Sequence, residues 1–163
     1  MPTIEGTSDA RGLRFALVVS RFNDFVTERL REGAEEALAR AGALPDHVSI
    51  VRVPGAFEIP FAARKAAESG RFDAVICLGC LIRGATPHFE YISSAVSHGI
   101  TAAAAATGVP ITFGVLTTLS VEQALERAGA GTTNKGREAA MAAVEMATLT
   151  RRIAHPQPGG IRV

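Results

Sequence analysis

Four apolar runs of strand length alternate with stretches of helical periodicity, and this alternation limits the possible folds more than any other feature of the chain. The strands are predicted at residues 13–20, 48–53, 74–80 and 111–116. A chain that alternates in this way makes right-handed crossovers between parallel strands and places helices on both faces of the sheet. The sequence therefore predicts an α/β fold, a three-layer αβα sandwich around a four-stranded parallel sheet.

Capping residues indicate where the helices begin. The first helix follows Asn23 or Asp24, and either side chain could cap it. The third helix is predicted over residues 88–107, with Thr86 as its N-cap and Pro87 at its first position, where a missing N–H costs nothing. The other helices are predicted to begin near residues 59 and 120 and after residue 134.

The loop between the third strand and the third helix carries most of the predicted chemistry, and its sequence over residues 80–88 is CLIRGATPH. The backbone N–H groups of Gly84, Ala85 and Thr86 are expected beyond the carboxyl end of the strand, where the helix dipole favours an anion. The loop therefore suits a phosphate group. His88 lies in the first helical turn beside that anion, so it is a candidate proton carrier.

Ligands of open α/β sheets bind beyond the carboxyl ends of the strands. Four segments are expected there because each follows or closes a strand, namely residues 20–23, 54–58, 80–88 and 113–114. Together they supply an aromatic ring, a carboxylate, a phosphate loop with an adjacent imidazole, and a second aromatic ring. This set would suit a planar heterocycle together with a small phosphate ester.

Length and composition indicate one globular domain over residues 1–163, with residues 1–12 as an N-terminal arm and residues 155–163 as a mobile tail. Of the 163 residues, 47% are hydrophobic and 20% charged, which suffices for a core. The net charge is +1, so nucleic acid and anionic membrane surfaces are not expected as partners. A spanning apolar run and a signal peptide are both missing from the sequence, which favours a cytoplasmic location.

Cys77 and Cys80 form a C-x-x-C pair, a pattern that can indicate redox chemistry or a metal site. Both residues fall inside a predicted strand, where positions three apart point to opposite faces. They could neither form a disulfide nor share a metal without breaking the strand. Buried apolar packing is the favoured explanation.

Five sequence blocks also carry a family resemblance, and in order they are SRFN at residues 20–23, VPGAFEIP at 53–60, LGCLIRGATPHFEY at 78–91, FGVLTT at 113–118, and RAG at 127–129 followed by NKG at 134–136. In order and spacing they resemble the lumazine synthase family over about residues 13–153. The resemblance implies a flavodoxin-like fold. It also implies the penultimate step of riboflavin biosynthesis, which joins 5-amino-6-(D-ribitylamino)uracil to 3,4-dihydroxy-2-butanone 4-phosphate without metal or organic cofactor. Phosphate and water are released, and the product is 6,7-dimethyl-8-ribityllumazine.

The resemblance assigns roles to individual positions around the heterocycle. Phe22 would stack on the pyrimidine, and Phe113 would close the heterocycle's pocket. The residues that would hold the pyrimidine and its ribityl chain are Ala56, Phe57 and Glu58, and those that would contact the ring through their backbone are Cys80, Leu81 and Ile82.

The phosphate end of the site is assigned in the same way. Ala85 and Thr86 would seat the phosphate, with Arg127 as its cationic clamp, while His88 would move protons during imine formation and phosphate loss. Lys135 would lie near the pocket that Phe113 closes. Many relatives place a further lysine where this chain has Gly131, so Arg127 and Lys135 are the evident cations of that region.

The resemblance further implies that adjacent subunits share each active site, with Phe113 and Arg127 coming from the neighbour. It implies a homo-oligomer built from pentamers, sometimes a decamer or a sixty-subunit shell that could enclose riboflavin synthase. The short loop over residues 128–134 favours the shell. The N-terminal segment of a neighbouring subunit could extend the sheet.

Taken one at a time, the same residues have ordinary structural explanations. His88 could be a satisfied structural histidine, and Phe22 and Phe113 could be core residues. Glu58 could be a charge at a helix start and Arg127 a charge at a helix end, each favoured by the helix dipole.

Two other functions would also suit parts of the sequence. A non-catalytic member of the family would bind riboflavin or lumazine, or form a shell, without turnover. A flavodoxin-like electron carrier or a phospho-receiver domain would share the fold, but the first strand ends at Ser20 without the acidic cluster that a receiver needs. The loop over residues 20–23 also lacks the density of glycines and hydroxyls that would hold the phosphate of FMN.

Overall fold

The computed structural model describes residues 1–156 and consists of a four-stranded parallel sheet, in the order β2-β1-β3-β4, between two layers of helices. The strands are β1 (Phe15–Ser20), β2 (Val48–Val53), β3 (Ala74–Ile82) and β4 (Ile111–Thr118), and the helices are α1 (Asp24–Arg40), α2 (Ile59–Glu68), α3 (His88–Thr107), α4 (Val121–Arg127) and α5 (Lys135–Ala154). The prediction of an αβα sandwich around four parallel strands is confirmed.

The two faces of the sheet are buried under different helices. Successive residues of β1 point to opposite faces, so Leu17 packs in the core on the side of α1 and α5, whereas Val18 packs in the core on the side of α2 and α3. Every residue of β1 is buried. This double burial explains why the strands appear in the sequence as nearly continuous apolar runs.

β3 and β4 each run two residues beyond their predicted ends, because they pair with each other as far as Ile82 and Thr118. This extension leaves Phe113 and Gly114 in the middle of β4, opposite Cys77 and Leu78 of β3. The expectation that residues 113–114 lie at a strand end beside the other segments is therefore wrong.

The residues predicted as N-caps of the first and third helices do not cap them. Asn23 precedes α1, but its side chain makes no capping hydrogen bond, and Asp24 is already the first residue of the helix. Pro87, not Thr86, directly precedes α3, and no side chain caps that helix. Neither helix therefore begins with the side-chain cap that the sequence predicts.

Both cysteines are free and buried, and they lie on opposite faces of the sheet as predicted. Cys77 packs in the core under α2 and α3, whereas Cys80 packs in the core under α1 and α5. Burial raises the pKa of Cys77 and raises that of Cys80 to about 11. The two thiols are therefore protonated packing groups, which agrees with the favoured explanation of the C-x-x-C pair.

The N-terminal arm, residues 1–12, contains neither helix nor strand, but it is bound along α5. The backbone N–H of Thr7 donates to Thr148 Oγ1 at 2.8 Å, and Arg152 Nη1 donates to the carbonyl oxygen of Glu5 at 2.8 Å. Between them, Gly6 lies so close to α5 that a Cβ atom there would be 2.1 Å from the carbonyl oxygen of Glu145. A side chain at position 6 would therefore push the arm away from the helix.

The mobile tail predicted at residues 155–163 falls mostly outside the described part of the chain, which ends at residue 156. None of the helices within residues 1–156 has the combination of length and hydrophobicity that crossing a bilayer requires.

Candidate active site

A cavity of about 670 Å³ opens beyond the carboxyl ends of β1, β2 and β3. Eight of the residues predicted for the site line it, and they are Phe22, Ala56, Phe57, Glu58, Leu81, Ile82, Thr86 and His88. The cavity thus combines segments from three different strand-to-helix loops, as the rule for open α/β sheets predicts. Its size is in the range of small-molecule sites.

The remaining five predicted residues lie elsewhere. Cys80 is buried beneath the end of β3, and Ala85 is exposed on the loop before α3 but does not line the cavity. Phe113, Arg127 and Lys135 line a second cavity, of about 290 Å³, between β4, α4 and α5. One subunit therefore does not bring all thirteen residues into a single site.

The aromatic ring of Phe22 is held out into solvent by the backbone of the turn after β1. Its relative exposure is 71%, and that of Phe113 is 47%, so the interpretation of these two rings as core residues is wrong. The backbone N–H of Arg21 donates to the carbonyl oxygen of Val53 at 2.9 Å, and that of Phe22 donates to Pro54 at 3.0 Å. These two bonds attach the turn to β2 and leave the ring face free for stacking.

Glu58 occupies the cavity wall and has a local structural partner as well. Its Oε2 atom accepts a hydrogen bond from the backbone N–H of Gly55 at 3.1 Å, which closes the short 3₁₀ turn Ala56–Glu58 that precedes α2. This contact fits the alternative explanation of Glu58 as a charge at a helix start. It also fixes the carboxylate beside the ring of Phe57, which is largely exposed at the same wall.

The loop before α3 offers unpaired donors to the cavity. Within residues 1–156, the backbone N–H groups of Gly84, Ala85 and Thr86 donate no hydrogen bonds, whereas the N–H of Arg83 is bonded to Thr118 at 2.9 Å. These donors precede α3, whose N-terminal dipole favours negative charge. His88 is the first residue of α3 and is exposed. The arrangement can bind an anion and place an imidazole beside it.

The second cavity carries cations and an aromatic ring. Arg127 ends α4, and its Nη1 atom donates to the carbonyl oxygen of Gln123 at 3.2 Å. This position matches the alternative explanation of Arg127 as a charge at a helix end. Lys135 forms an ion pair with Glu138 at 2.7 Å on the first turn of α5. The guanidinium of Arg127 has donors left for an anion from outside the chain.

Asn23 also lines the first cavity, where the segment 20–23 is expected, in addition to preceding the first helix. Its Nδ2 atom donates to the carbonyl oxygen of Cys80 at 2.9 Å. β1 pairs with β3 as far as Leu78, so the edge of β3 beyond that residue has no strand neighbour on this side. The sequence signal for Asn23 was its position directly after an aromatic residue at a strand end. Asparagine suits such a position because it tolerates left-handed backbone and can form a hydrogen bond across a gap.

Within residues 1–156, no group of three or more His, Cys, Asp or Glu side chains is arranged to hold a metal ion. The family model for 6,7-dimethyl-8-ribityllumazine synthase matches residues 12–151. A curated relative from Syntrophus aciditrophicus (strain SB), named 6,7-dimethyl-8-ribityllumazine synthase, is 58% identical over 154 residues, which cover 94% of this chain and 100% of the relative. The chain therefore belongs to the 6,7-dimethyl-8-ribityllumazine synthase family.

Proposed function

We propose that this protein is a 6,7-dimethyl-8-ribityllumazine synthase, a transferase of riboflavin biosynthesis that condenses 5-amino-6-(D-ribitylamino)uracil with 3,4-dihydroxy-2-butanone 4-phosphate. One observation carries the proposal beyond family membership. A single cavity contains an exposed aromatic ring at Phe22, the wall formed by Glu58 and an imidazole at His88 beside a loop of unpaired N–H groups. The aromatic ring suits a heterocycle, and the wall formed by Glu58 suits a polyol chain. The loop and the imidazole suit a phosphate ester whose reaction requires proton transfer.

The heterocycle half of the reaction uses the wall formed by the turn after β1 and the end of β3. The pyrimidine stacks on Phe22 and meets the backbone edge of Ile82, which has no strand neighbour on the cavity side. Ala56, Phe57 and Glu58 hold the ribityl chain, whose hydroxyls donate to the carboxylate. Stacking and edge pairing together orient the amino group toward the ketone, which is the main requirement of a condensation between two bound substrates.

The phosphate half uses the loop before α3. Ala85 and Thr86 bind the phosphate through backbone N–H groups at the helix N-terminus, and Arg127 of a neighbouring subunit adds a cation. Imine formation and phosphate elimination each require a proton to move, and imidazole is suited to give and take protons near neutral pH. His88 performs these transfers, because it stands next to the phosphate loop and faces the same cavity.

The proposal includes a homo-oligomer with active sites shared between subunits. Phe113, Arg127 and Lys135 line a cavity separate from that of Phe22 and His88, and each cavity alone lacks part of the required chemistry. Pairing the first cavity of one subunit with the second cavity of its neighbour supplies both aromatic faces and the phosphate cation. A pentamer, or a sixty-subunit shell of pentamers able to enclose riboflavin synthase in the cytoplasm, would repeat this pairing around a ring.

The test is to mix the purified protein with both substrates and to follow the absorbance and fluorescence of the lumazine product, with the uncatalysed condensation subtracted. Production well above that background is the expected result. Tight binding of riboflavin or lumazine without turnover would instead favour the non-catalytic member of the family. Light scattering on the same sample gives the number of subunits.

A further inference from the structure

Asn23 departs from the behaviour of a helix cap in two ways. Its backbone φ is 62°, and it is the one non-glycine residue with positive φ among residues 1–156. Left-handed backbone costs free energy even for asparagine, and it persists where surrounding contacts impose it. A capping asparagine normally accepts a hydrogen bond from the first turn of its helix, but this side chain makes no such bond to α1. The residue is therefore held for something other than starting the helix.

The side-chain amide of Asn23 takes the place of a missing strand neighbour. β1 stops pairing with β3 at the Val19–Leu78 pair, and the carbonyl oxygen of Cys80 would otherwise have no partner on that edge. The Nδ2 atom of Asn23 donates to it at 2.9 Å across 57 residues of sequence. Consecutive residues of a strand direct their backbone polar groups to alternate edges. The next residue on the same edge is Ile82, which lines the cavity.

The backbone of its turn, rather than packing of its side chain, sets the position of the Phe22 ring. The ring is mostly exposed, so side-chain packing does not hold it in place. Two backbone bonds, from Arg21 and from Phe22 itself, fix the turn to β2. The hydroxyl of Thr27 donates to the carbonyl oxygen of Ser20 at 2.8 Å and fixes the turn to α1. The bond from the Asn23 side chain ties the same turn to β3.

We propose that Asn23 is a positioning residue that sets the gap between the ring of Phe22 and the backbone edge of Ile82, and so determines how tightly a planar heterocycle is held between them. The identity of that heterocycle as a ribitylaminopyrimidine rests on the proposed function. The gap itself is a property of the cavity and acts on any planar ring that stacks on Phe22. Asn23 does not enter the proton transfers of the reaction.

Two substitutions remove the bond without requiring a new backbone conformation. Asn23→Gly tolerates positive φ and has no side chain, and Asn23→Asp tolerates positive φ but presents a carboxylate that cannot donate to a carbonyl oxygen. Thr27→Val is the matched control, because it deletes a buried hydrogen bond of the same turn on the side of α1. All three proteins are compared with the unchanged protein by thermal unfolding, steady-state kinetics with each substrate varied, and fluorescence titration with 6,7-dimethyl-8-ribityllumazine.

Losing one hydrogen bond of this kind is expected to raise KM for the pyrimidine and the Kd for lumazine about three- to ten-fold in both Asn23 variants. KM for the butanone phosphate should stay unchanged, and so should both KM values of Thr27→Val, although that variant unfolds at a lower temperature. Unchanged pyrimidine KM and lumazine Kd in the Asn23 variants would overturn the inference. An equal rise of both KM values, or the same rise in Thr27→Val, would overturn it too, because general loosening of the turn would then explain the result.

The titration separates this inference from the proposed function. If the unchanged protein binds lumazine but does not turn over the substrates, the synthase assignment fails. A weaker lumazine Kd in the Asn23 variants would still support the positioning role in that case. If the unchanged protein turns over and the Asn23 variants behave identically to it, the function stands and the positioning role fails.

Discussion

Phe22 and Phe61 are equally exposed, at 71% each, but Phe22 lines the cavity at the strand ends whereas Phe61 lies on α2 outside the cavity lining. Nearly the same area of ring therefore faces solvent at both positions. Truncating either ring costs little core packing, since most of the ring is already in water. Comparing substitutions at Phe22 and Phe61 therefore separates the effect of losing any exposed aromatic ring from the effect of losing the ring that lines the cavity.

Phe22→Ala should raise KM for the pyrimidine at least about ten-fold, because one aromatic stacking surface for a base is typically worth 1–3 kcal/mol. The unfolding temperature should change by little. Phe61→Ala is the control and should leave KM for the pyrimidine unchanged. Steady-state kinetics on both variants, with the pyrimidine concentration varied, test this prediction. Equal effects of the two substitutions would mean that Phe22 is not the stacking surface.

His88→Ala should lower kcat about 100-fold, the lower end of what a positioned acid–base group contributes. The reason is that the imidazole lines the cavity beside the loop of unpaired N–H groups, where the phosphate is proposed to bind. His98→Ala is the matched control, because His98 lies on the same helix and its ring contacts Ser94 outside the cavity. The measurement is lumazine production in single-turnover mixtures. A His88 variant as fast as the unchanged protein would leave proximity and phosphate binding to account for the rate.

If subunits share active sites as proposed, two inactive variants should complement each other. His88→Ala damages the first cavity and Arg127→Ala the second, so each homo-oligomer should be slow. In mixed oligomers assembled from equal amounts, roughly a quarter of the interfaces combine an intact first cavity with an intact second one. Co-expression with two different affinity tags and assay of the doubly purified protein measures the recovery. Activity no higher than the two variants alone would place each site within a single subunit.

Periodicity predicted the order of strands and helices and the burial of the sheet on both faces, because strands such as β1 are buried on both sides and leave an unbroken apolar run in the sequence. The ends of elements were less predictable. β3 and β4 extend to Ile82 and Thr118 because they pair with each other, and that pairing is a property of two segments rather than of either one. Phe113 already falls inside the predicted strand, residues 111–116, and the extension to Thr118 moves the strand end further from it.

The candidate site likewise has one part that the sequence predicts and another that it does not. Residues that follow β1, β2 and β3 were predictable as neighbours, because the carboxyl ends of parallel strands meet at one edge. The hydrogen bond of the Asn23 side chain was not predictable, because its acceptor, the carbonyl oxygen of Cys80, lies 57 residues away. The resemblance already implied that Phe113 and Arg127 serve a different subunit's site, and the packing of β4 against α5 and α4 groups them with Lys135 in a second cavity.

A network of carboxylate and guanidinium groups joins α1 to the edge strand β2. Glu28 accepts hydrogen bonds from Arg52 and Arg31, and the bond from Arg52 is the chief reason why the pKa of Glu28 is lowered. A carboxylate with a lowered pKa stabilises the fold above the pKa that it has in the unfolded chain. This stabilisation is lost as the pH falls through the lower pKa of the folded state.

Glu28→Gln should therefore reduce the free energy of unfolding at pH 7 by less than about 1 kcal/mol, as expected for a partly exposed network. The difference from the unchanged protein should close as the pH falls below the ordinary glutamate range of about 4 to 4.5. Glu36→Gln, which removes the more exposed pair with Arg40, is the control and should show a smaller difference at pH 7. Thermal unfolding across this pH range tests the prediction, and a difference that grows on acidification would contradict it.

Gly136→Ala should destabilise the protein although alanine is the better helix former. In an ordinary helix the change would gain roughly 0.5–1 kcal/mol. Here a Cβ atom would lie 2.0 Å from the carbonyl oxygen of Leu30, where α5 meets α1, so the two helices would have to separate. We expect a loss of about 1–3 kcal/mol, the usual cost of overpacking. Denaturant titration measures it, and a raised midpoint would show that α1 and α5 adjust without strain.

The arm bound along α5 has a consequence for the order in which the chain is built. Thr7 and Thr148 bond across 141 positions, and Gly6 can lie against Glu145 only once α5 exists. During synthesis, residues 5–7 leave the ribosome long before residues 145–152, so this docking step waits for the last helix. Because a contact between residues so far apart in sequence has a large loop-closure entropy cost, it forms late and cannot help to nucleate folding. The arm is made early and docks late.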